Sequence, residues 1–282
     1  MIDLHTHSTF SDGSLTPEEL VAEGVNAGLK AMALTDHDCV DGVTRFLAAC
    51  EASDAPEGIP GVEISANVDK GTMHILGYYM DYLDIKLENA LRRIREGRSD
   101  RNVKILKALN DLNLELNWEE IASLAGEDVV GRPHFAMAMI QRGYVKSKDE
   151  AFRKYLAKGK PGYVDRFRLS PKEALKAIRE AGGMPALAHP FTLELSAREL
   201  KGIAGELKSL GLMGIEVYYS EHSPELIGQY KRLADEFGLV AVGGTDFHGQ
   251  LNPGVRVGRG FGGLEVPDRV IDEMKEALDR TK

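Results

Sequence analysis

A chain of 282 residues is long enough to bury a full core, as one large α/β domain or as a domain with an insertion. Its 43% hydrophobic and 28% charged content excludes a disordered or fibrous chain, and its net charge of −9 argues against broad, non-specific nucleic-acid binding. Two cysteines, Cys39 and Cys50, without a CxxC spacing, argue against a disulfide framework or a cysteine zinc site, so a reducing, cytoplasmic location is expected. The first predicted strand covers residues 2–5, which leaves no room for an export signal, and no apolar run reaches the ~18 residues of a membrane span. Thr16 as N-cap with Pro17 at the first helical position opens a helix. Leu20, Val21, Gly24 and Ala27 continue it at helical spacing, and Gly28 can end it. Strands follow at residues 31–35, 59–65 and 74–79, the last two joined as a hairpin by the turn Asp69-Lys70-Gly71. Residues 85–165 break the alternation with helical stretches at 85–112, 118–124, 133–141 and 149–156. Ser170-Pro171 repeats the N-cap device, and strands return at 184–189, 214–218 and 240–243.

This pattern predicts an α/β domain over residues 1–84 and 166–282, with residues 85–165 as a mainly helical insertion covering the substrate site. The charge is divided along similar lines. Residues 85–170 carry 18 Lys/Arg against 12 Asp/Glu, a balance of +6, and the remainder carries 17 against 32, a balance of −15. The insertion thus suits recruitment of an anionic substrate.

Six of the eight histidines fall at the ends of short apolar runs, beginning with His5-Thr6-His7. Residues two apart in a strand share a face, so His5 and His7 can present both imidazoles to one cation. His37, Glu63, His189, Asp246 and His248 come at or just after the ends of predicted strands, where α/β barrels assemble their active sites. With Asp12 and His74 they make nine candidate ligands, more than one ion accepts. Three divalent ions with about three protein ligands each, one carboxylate bridging, would leave positions open for water and substrate. Imidazole and carboxylate without thiolate suit Mn²⁺, Fe²⁺ or Zn²⁺, and such a site would be net positive and favour a phosphate ester.

The motifs His5-Thr6-His7-Ser8, Ser11-Asp12-Gly13, Thr35-Asp36-His37-Asp38, Gly61-Val62-Glu63-Ile64-Ser65, His74, His189-Pro190 and Asp246-Phe247-His248 resemble, in order, those of the PHP (polymerase and histidinol phosphatase) family. The resemblance is nearest to stand-alone members that hydrolyse nucleoside 3′,5′-bisphosphates and trim RNA from the 5′ end. Gly131-Arg132-Pro133-His134-Phe135 and residues 158–164 look like signatures of that subgroup. It implies a distorted seven-stranded β/α barrel. It also implies one metal held by His5, His7, Glu63 and Asp246, a second by Glu63, His74 and His189, and a third by Asp12, His37 and His248. Mn²⁺ is the ion the resemblance favours. In-line attack on phosphorus by a hydroxide bridging two metals is the expected mechanism.

His222, after the sixth strand, is the candidate general acid, and Asp36 is expected to orient a histidine ligand. Arg132 and Lys160 are candidates for clamping a second phosphate, Tyr163 or Phe191 for stacking on a base, and His134 for binding substrate or packing locally. A small anionic nucleotide or short RNA is the expected partner, with no membrane and no protein partner. Two other readings share these motifs: a histidinol-phosphate phosphatase, and a metal-binding scaffold without catalysis. The full ligand set weighs against the scaffold.

Overall fold

The computed structural model describes residues 1–125 and 130–281. The expected apolar runs form β1 (Ile2–Asp3), β2 (Ala31–Leu34), β3 (Glu57–Ala66), β4 (Met73–Tyr78), β5 (Met184–Leu187), β6 (Gly214–Tyr219) and β7 (Val240–Gly244). They pair in sequence order in one seven-stranded sheet. Neighbours are parallel throughout except at β4, which runs antiparallel to β3 and β5. The sheet nearly closes on itself. Leu4 N donates to Gly243 O at 3.2 Å, Asp246 N to His5 O at 2.8 Å and His7 N to Phe247 O at 3.0 Å. This is the expected distorted β/α barrel, with β4 as the distortion.

Gly244 makes the β1–β7 seam possible, because a Cβ there would lie 2.3 Å from His5 N. The barrel core joins Ile2, Leu4, Ala31, Ala33, Ile59, Leu76, Tyr78, Ala186 and Val242 to Val270, Ile271 and Met274 of the C-terminal helix. Burial of the Ile, Leu, Val and Met side chains among them contributes roughly 1.5–3 kcal/mol each. Because β1, β2, β3, β5, β6 and β7 run in one direction, their C-terminal ends and the polar residues there share one rim.

The helices are α1 (Pro17–Ala27), α2 (Val43–Ala49), α3 (Ile85–Asn110), α4 (Trp118–Ala125), α5 (Arg132–Gln141), α6 (Lys148–Ala151), α7 (Pro171–Glu180), α8 (Ala197–Ser209), α9 (Pro224–Phe237) and α10 (Val270–Asp279). Thr16 and Ser170 cap α1 and α7 through reciprocal bonds with Glu19 and Glu173, and Gly28 ends α1 in the left-handed region. The stretch expected as a helix over 149–156 is α6 followed by a π-helical turn, Phe152–Leu156.

The chain divides into two compact units, Met1–Arg92 with Arg168–Lys282, and Arg93–Phe167. The division falls inside α3 instead of at its start, where composition placed it; Leu87 and Leu91, before the division, are fully buried. The second unit has its own core of Ile105, Leu109, Ile121, Phe135, Ala138, Met139, Ala151 and Leu156.

Candidate metal centre

His5 and His7 follow β1, His37 follows β2, His189 follows β5, and Asp246 and His248 follow β7, while Glu63 lies three residues before the end of β3, Asp12 lies in the loop after β1, and β4 supplies His74 from its beginning. That inversion follows from its direction: an antiparallel strand brings its start to the rim where its neighbours end. His74 lies opposite Ser65 in the β3–β4 register, two residues from Glu63 on the facing strand.

Glu63 is fully buried at the middle of the cluster. Its Oε1 lies 2.8 Å from His74 Nδ1 and 2.9 Å from His189 Nε2. Its Oε2 lies 2.8 Å from His37 Nδ1 and 3.4 Å from both His5 Nε2 and His7 Nε2. Asp246 Oδ1 lies 3.0 Å from His7 Nε2 and 3.2 Å from His5 Nε2. Asp12 approaches His248 Nε2 at 3.2 Å and His37 Nε2 at 3.6 Å. Among the described residues the donor sets are three: His5, His7, Glu63 and Asp246; His37, Glu63 and His74; and His7, Asp12, His37 and His248. His37 and His7 therefore each border two sets, where family likeness gave each to one.

The imidazoles are pinned from behind. Ser11 Oγ donates to Asp36, so it accepts at 3.4 Å from His7 Nδ1. Thr192 Oγ1 donates to backbone carbonyls and accepts from His189 Nδ1 at 3.0 Å, and His248 Nδ1 donates to Asp246 O at 2.9 Å. His5 Nδ1 donates to Glu216 Oε1 at 2.9 Å. Each of these four rings therefore turns its Nε2 into the cluster. His5 Nε2, His7 Nε2, His37 Nδ1, His74 Nδ1, Glu63 Oε2, Asp12 Oδ1 and Asp246 Oδ1 are buried there without a hydrogen-bond partner. Buried acceptors facing one another are costly unless a cation lies between them, so this donor set suits divalent metal ions.

Burial would lower the pKa values of His5, His37, His189 and His248, but the carboxylates around them reverse the effect and raise them, His37 to about 10, a charge that cations in the cluster would replace. Burial alone would raise the pKa of Glu63, but His37, His74 and His5 outweigh it and hold the carboxyl well below its ordinary range. Burial would likewise raise that of Asp246, and His5 and His7 reverse the effect. His7 is driven down to about 3 by burial and by neighbouring His248, so it remains a neutral donor. Two backbone positions at the cluster are strained, His189 at φ 21° and Asp246 at φ 56°, as functional sites often are.

Asp36 touches no imidazole. Its carboxylate accepts from Ser8 N, Ser8 Oγ and Ser11 Oγ, so it reaches His7 only through Ser11, and burial pushes its pKa up to about 6. His222 donates from Nδ1 to Val217 O at 2.9 Å, among the rings of Tyr219, Tyr230 and Phe191. Its buried Nε2 lacks a hydrogen-bond partner, and burial lowers its pKa. Sequence reasoning missed Glu216 and Tyr219 on β6. The signal was present, since Glu216 is the only charged residue in the run Gly214–Tyr219 and is fully buried.

In the second unit, the Arg132 guanidinium lies over the Tyr163 ring at 5.2 Å and donates to Leu156 O at 3.2 Å. Lys160 is exposed in the turn just before Tyr163, whose N–H donates to Lys160 O. His134 Nδ1 accepts from Gly131 N at 3.0 Å, which closes the start of α5.

A nearly closed β/α barrel with a buried His/Asp/Glu cluster at the rim of its strands defines a metal-dependent hydrolase. The PHP domain model matches residues 3–185, and the chain belongs to that family. It is 36% identical over 271 residues to the 3′,5′-nucleoside bisphosphate phosphatase of Chromobacterium violaceum, covering 91% of this chain and 90% of that protein. It is 34% identical over 262 residues to the 5′-3′ exoribonuclease Rnm of Escherichia coli, covering 91% and 88%. Among solved structures, a chain from Bifidobacterium adolescentis assigned as a metal-dependent phosphoesterase superposes with a TM-score of 0.79 at 25% identity, over 98% of this chain and 96% of that one. The protein is a phosphoric ester hydrolase.

Proposed function

We propose that the protein removes the 3′-phosphate from nucleoside 3′,5′-bisphosphates and trims short RNA from the 5′ end. The two substrates present the same unit, a phosphoester one nucleoside away from a 5′-phosphate. The observation that carries the metal part of this reading is Glu63, whose two oxygens divide five imidazoles, two on one side and three on the other. A carboxylate so placed suits a bridge between cations. By family likeness we assign three divalent ions, with Mn²⁺ favoured, to His5, His7, Glu63 and Asp246, to Glu63, His74 and His189, and to Asp12, His37 and His248, of which the first is also one of the donor sets above.

When bound, such ions neutralise charge on the phosphoryl oxygens and lower the pKa of water towards neutrality. The chain's own residues set the geometry. The Nδ1 bonds of His5, His7, His189 and His248 fix which nitrogen faces the cluster. His222, once protonated at Nε2, is the candidate donor to the leaving oxygen. Arg132 and Lys160 bind the second phosphate, and Tyr163, already under the Arg132 guanidinium, stacks on the base. The helical unit's excess of cations supports a role in recruiting the anion. A cytoplasmic location completes this reading.

Phosphate release from adenosine 3′,5′-bisphosphate, histidinol phosphate and a short 5′-phosphorylated RNA, with Mn²⁺-reloaded protein, tests it. The bisphosphate or the RNA should be preferred. Preference for histidinol phosphate would overturn the substrate assignment and leave the metal centre intact.

A further inference from the structure

Strand β6 supplies none of the nine candidate ligands, yet it carries the two polar side chains that grip them from behind. Its pairing with β7 skips a residue: Glu216 lies opposite Val242 and Tyr218 opposite Gly243, so Val217 is the extra residue of a bulge. In an unbroken strand, residues three apart face opposite sides of the sheet. The inserted residue resets the alternation, and Glu216 and Tyr219 both reach the cluster. His222 Nδ1 donates to the carbonyl of Val217 at 2.9 Å, which holds the bulge in place.

Glu216 joins ligands from two different strand ends. Its Oε1 accepts from His5 Nδ1 at 2.9 Å, and its Oε2 accepts from the backbone N–H of His189 at 2.7 Å. The first bond fixes the ring so that Nε2 faces Glu63 and Asp246. The second holds a residue whose φ of 21° needs support from its surroundings. Tyr219 Oη donates to Asp246 Oδ2 at 2.9 Å, which leaves Oδ1 turned towards His5 and His7. A buried carboxylate that served packing alone would have no reason to spend both oxygens on candidate ligands.

We infer that Glu216 and Tyr219 are positioning residues of the metal centre, brought to a common face by the β6 bulge, and that they set its affinity and ligand geometry. The inference rests on the reading that the cluster holds divalent cations. Its test is Mn²⁺ binding, followed by the paramagnetic resonance of free Mn²⁺, and the absorption spectrum of the Co²⁺-loaded protein, in the full chain carrying Glu216→Gln or Tyr219→Phe. A glutamine can accept one of the two hydrogen bonds but presents a donor to the other. Glu216→Gln should therefore weaken Mn²⁺ binding by about 10- to 100-fold and shift the Co²⁺ spectrum, with Tyr219→Phe giving a smaller change in both.

Glu63→Gln serves as the reference. If it loses Mn²⁺ while both β6 variants keep affinity within about two-fold of the parent and an unchanged Co²⁺ spectrum, the positioning role is wrong. If Glu63→Gln also binds Mn²⁺ as the parent does, the metal-centre reading itself fails. Should Glu216→Gln not fold, Tyr219→Phe decides: an unchanged affinity and spectrum overturns the inference, and a shift in both supports it.

Discussion

The barrel and the helical unit treat their polar side chains in opposite ways. At the barrel rim, seven polar atoms of the candidate ligands are buried, face one another and lack hydrogen-bond partners. In the helical unit, His134 is taken up by the start of its own helix, Arg132 by a carbonyl and an aromatic ring, and Lys160 stays exposed. A protein tolerates buried, mutually facing acceptors only where a ligand compensates them. The barrel thus declares its chemistry by what its own chain leaves unsatisfied, whereas the helical unit offers charge and shape that need substrate to become a site.

Substitutions that strike one region should separate the two. The largest effect is expected in the barrel: Glu63→Gln or Asp246→Asn should abolish phosphate release from every substrate, as should removal of divalent cations by a chelator. Full turnover in either variant would remove that residue from the site. Next, Phe135→Ala empties a fully buried position in the helical unit's core and should cost about 3–5 kcal/mol there, read as amide exchange confined to residues 93–167. Protection lost equally across the barrel would show that the two units unfold as one. Gly244→Ala should destabilise the barrel by about 1–3 kcal/mol in urea, because the added carbon meets the backbone of His5 just after β1. The smallest change is Arg132→Ala, for which KM for the bisphosphate should rise about ten-fold with kcat nearly unchanged, the sign of a binding contact outside the chemistry. An unaltered KM would take Arg132 out of the substrate site.

Most of the barrel was legible because its signals are local. Strand runs, Thr16-Pro17 and Ser170-Pro171 caps, Gly28 and the hairpin turn each act within a few residues, and the structure places them within one or two positions of expectation. The candidate cluster was legible because histidines at strand ends have little packing purpose. What escaped was non-local or broke a period. Glu216 and Tyr219 became partners through a bulge that no alternation pattern announces, and the π-helical turn after α6 reads as ordinary helix. Asp36 looked like a partner of adjacent His37, whereas the histidine it reaches is His7, through Ser11, and its bonds to Ser8 and Ser11 make a loop closure that only the folded chain reveals. The division of the chain inside α3 has the same origin, since composition changes at a helix start while packing changes two turns later.

The β1–β7 seam ties activity to closure of the barrel. Glu63 and His74 meet across a short hairpin, a contact that closes a small loop and costs little chain entropy. His5 and His7 meet Asp246 only when strands from the two ends of the sequence are zipped together, with His7 N on Phe247 O as one of the fasteners. Contacts of such long sequence separation are slow to form. A chain still emerging from synthesis, or cut before β7, therefore lacks the carboxylate that completes the cluster. Hydrolysis of a phosphoric ester therefore waits on closure of the barrel, and the hydrogen bonds of the seam act as the enzyme's on-switch.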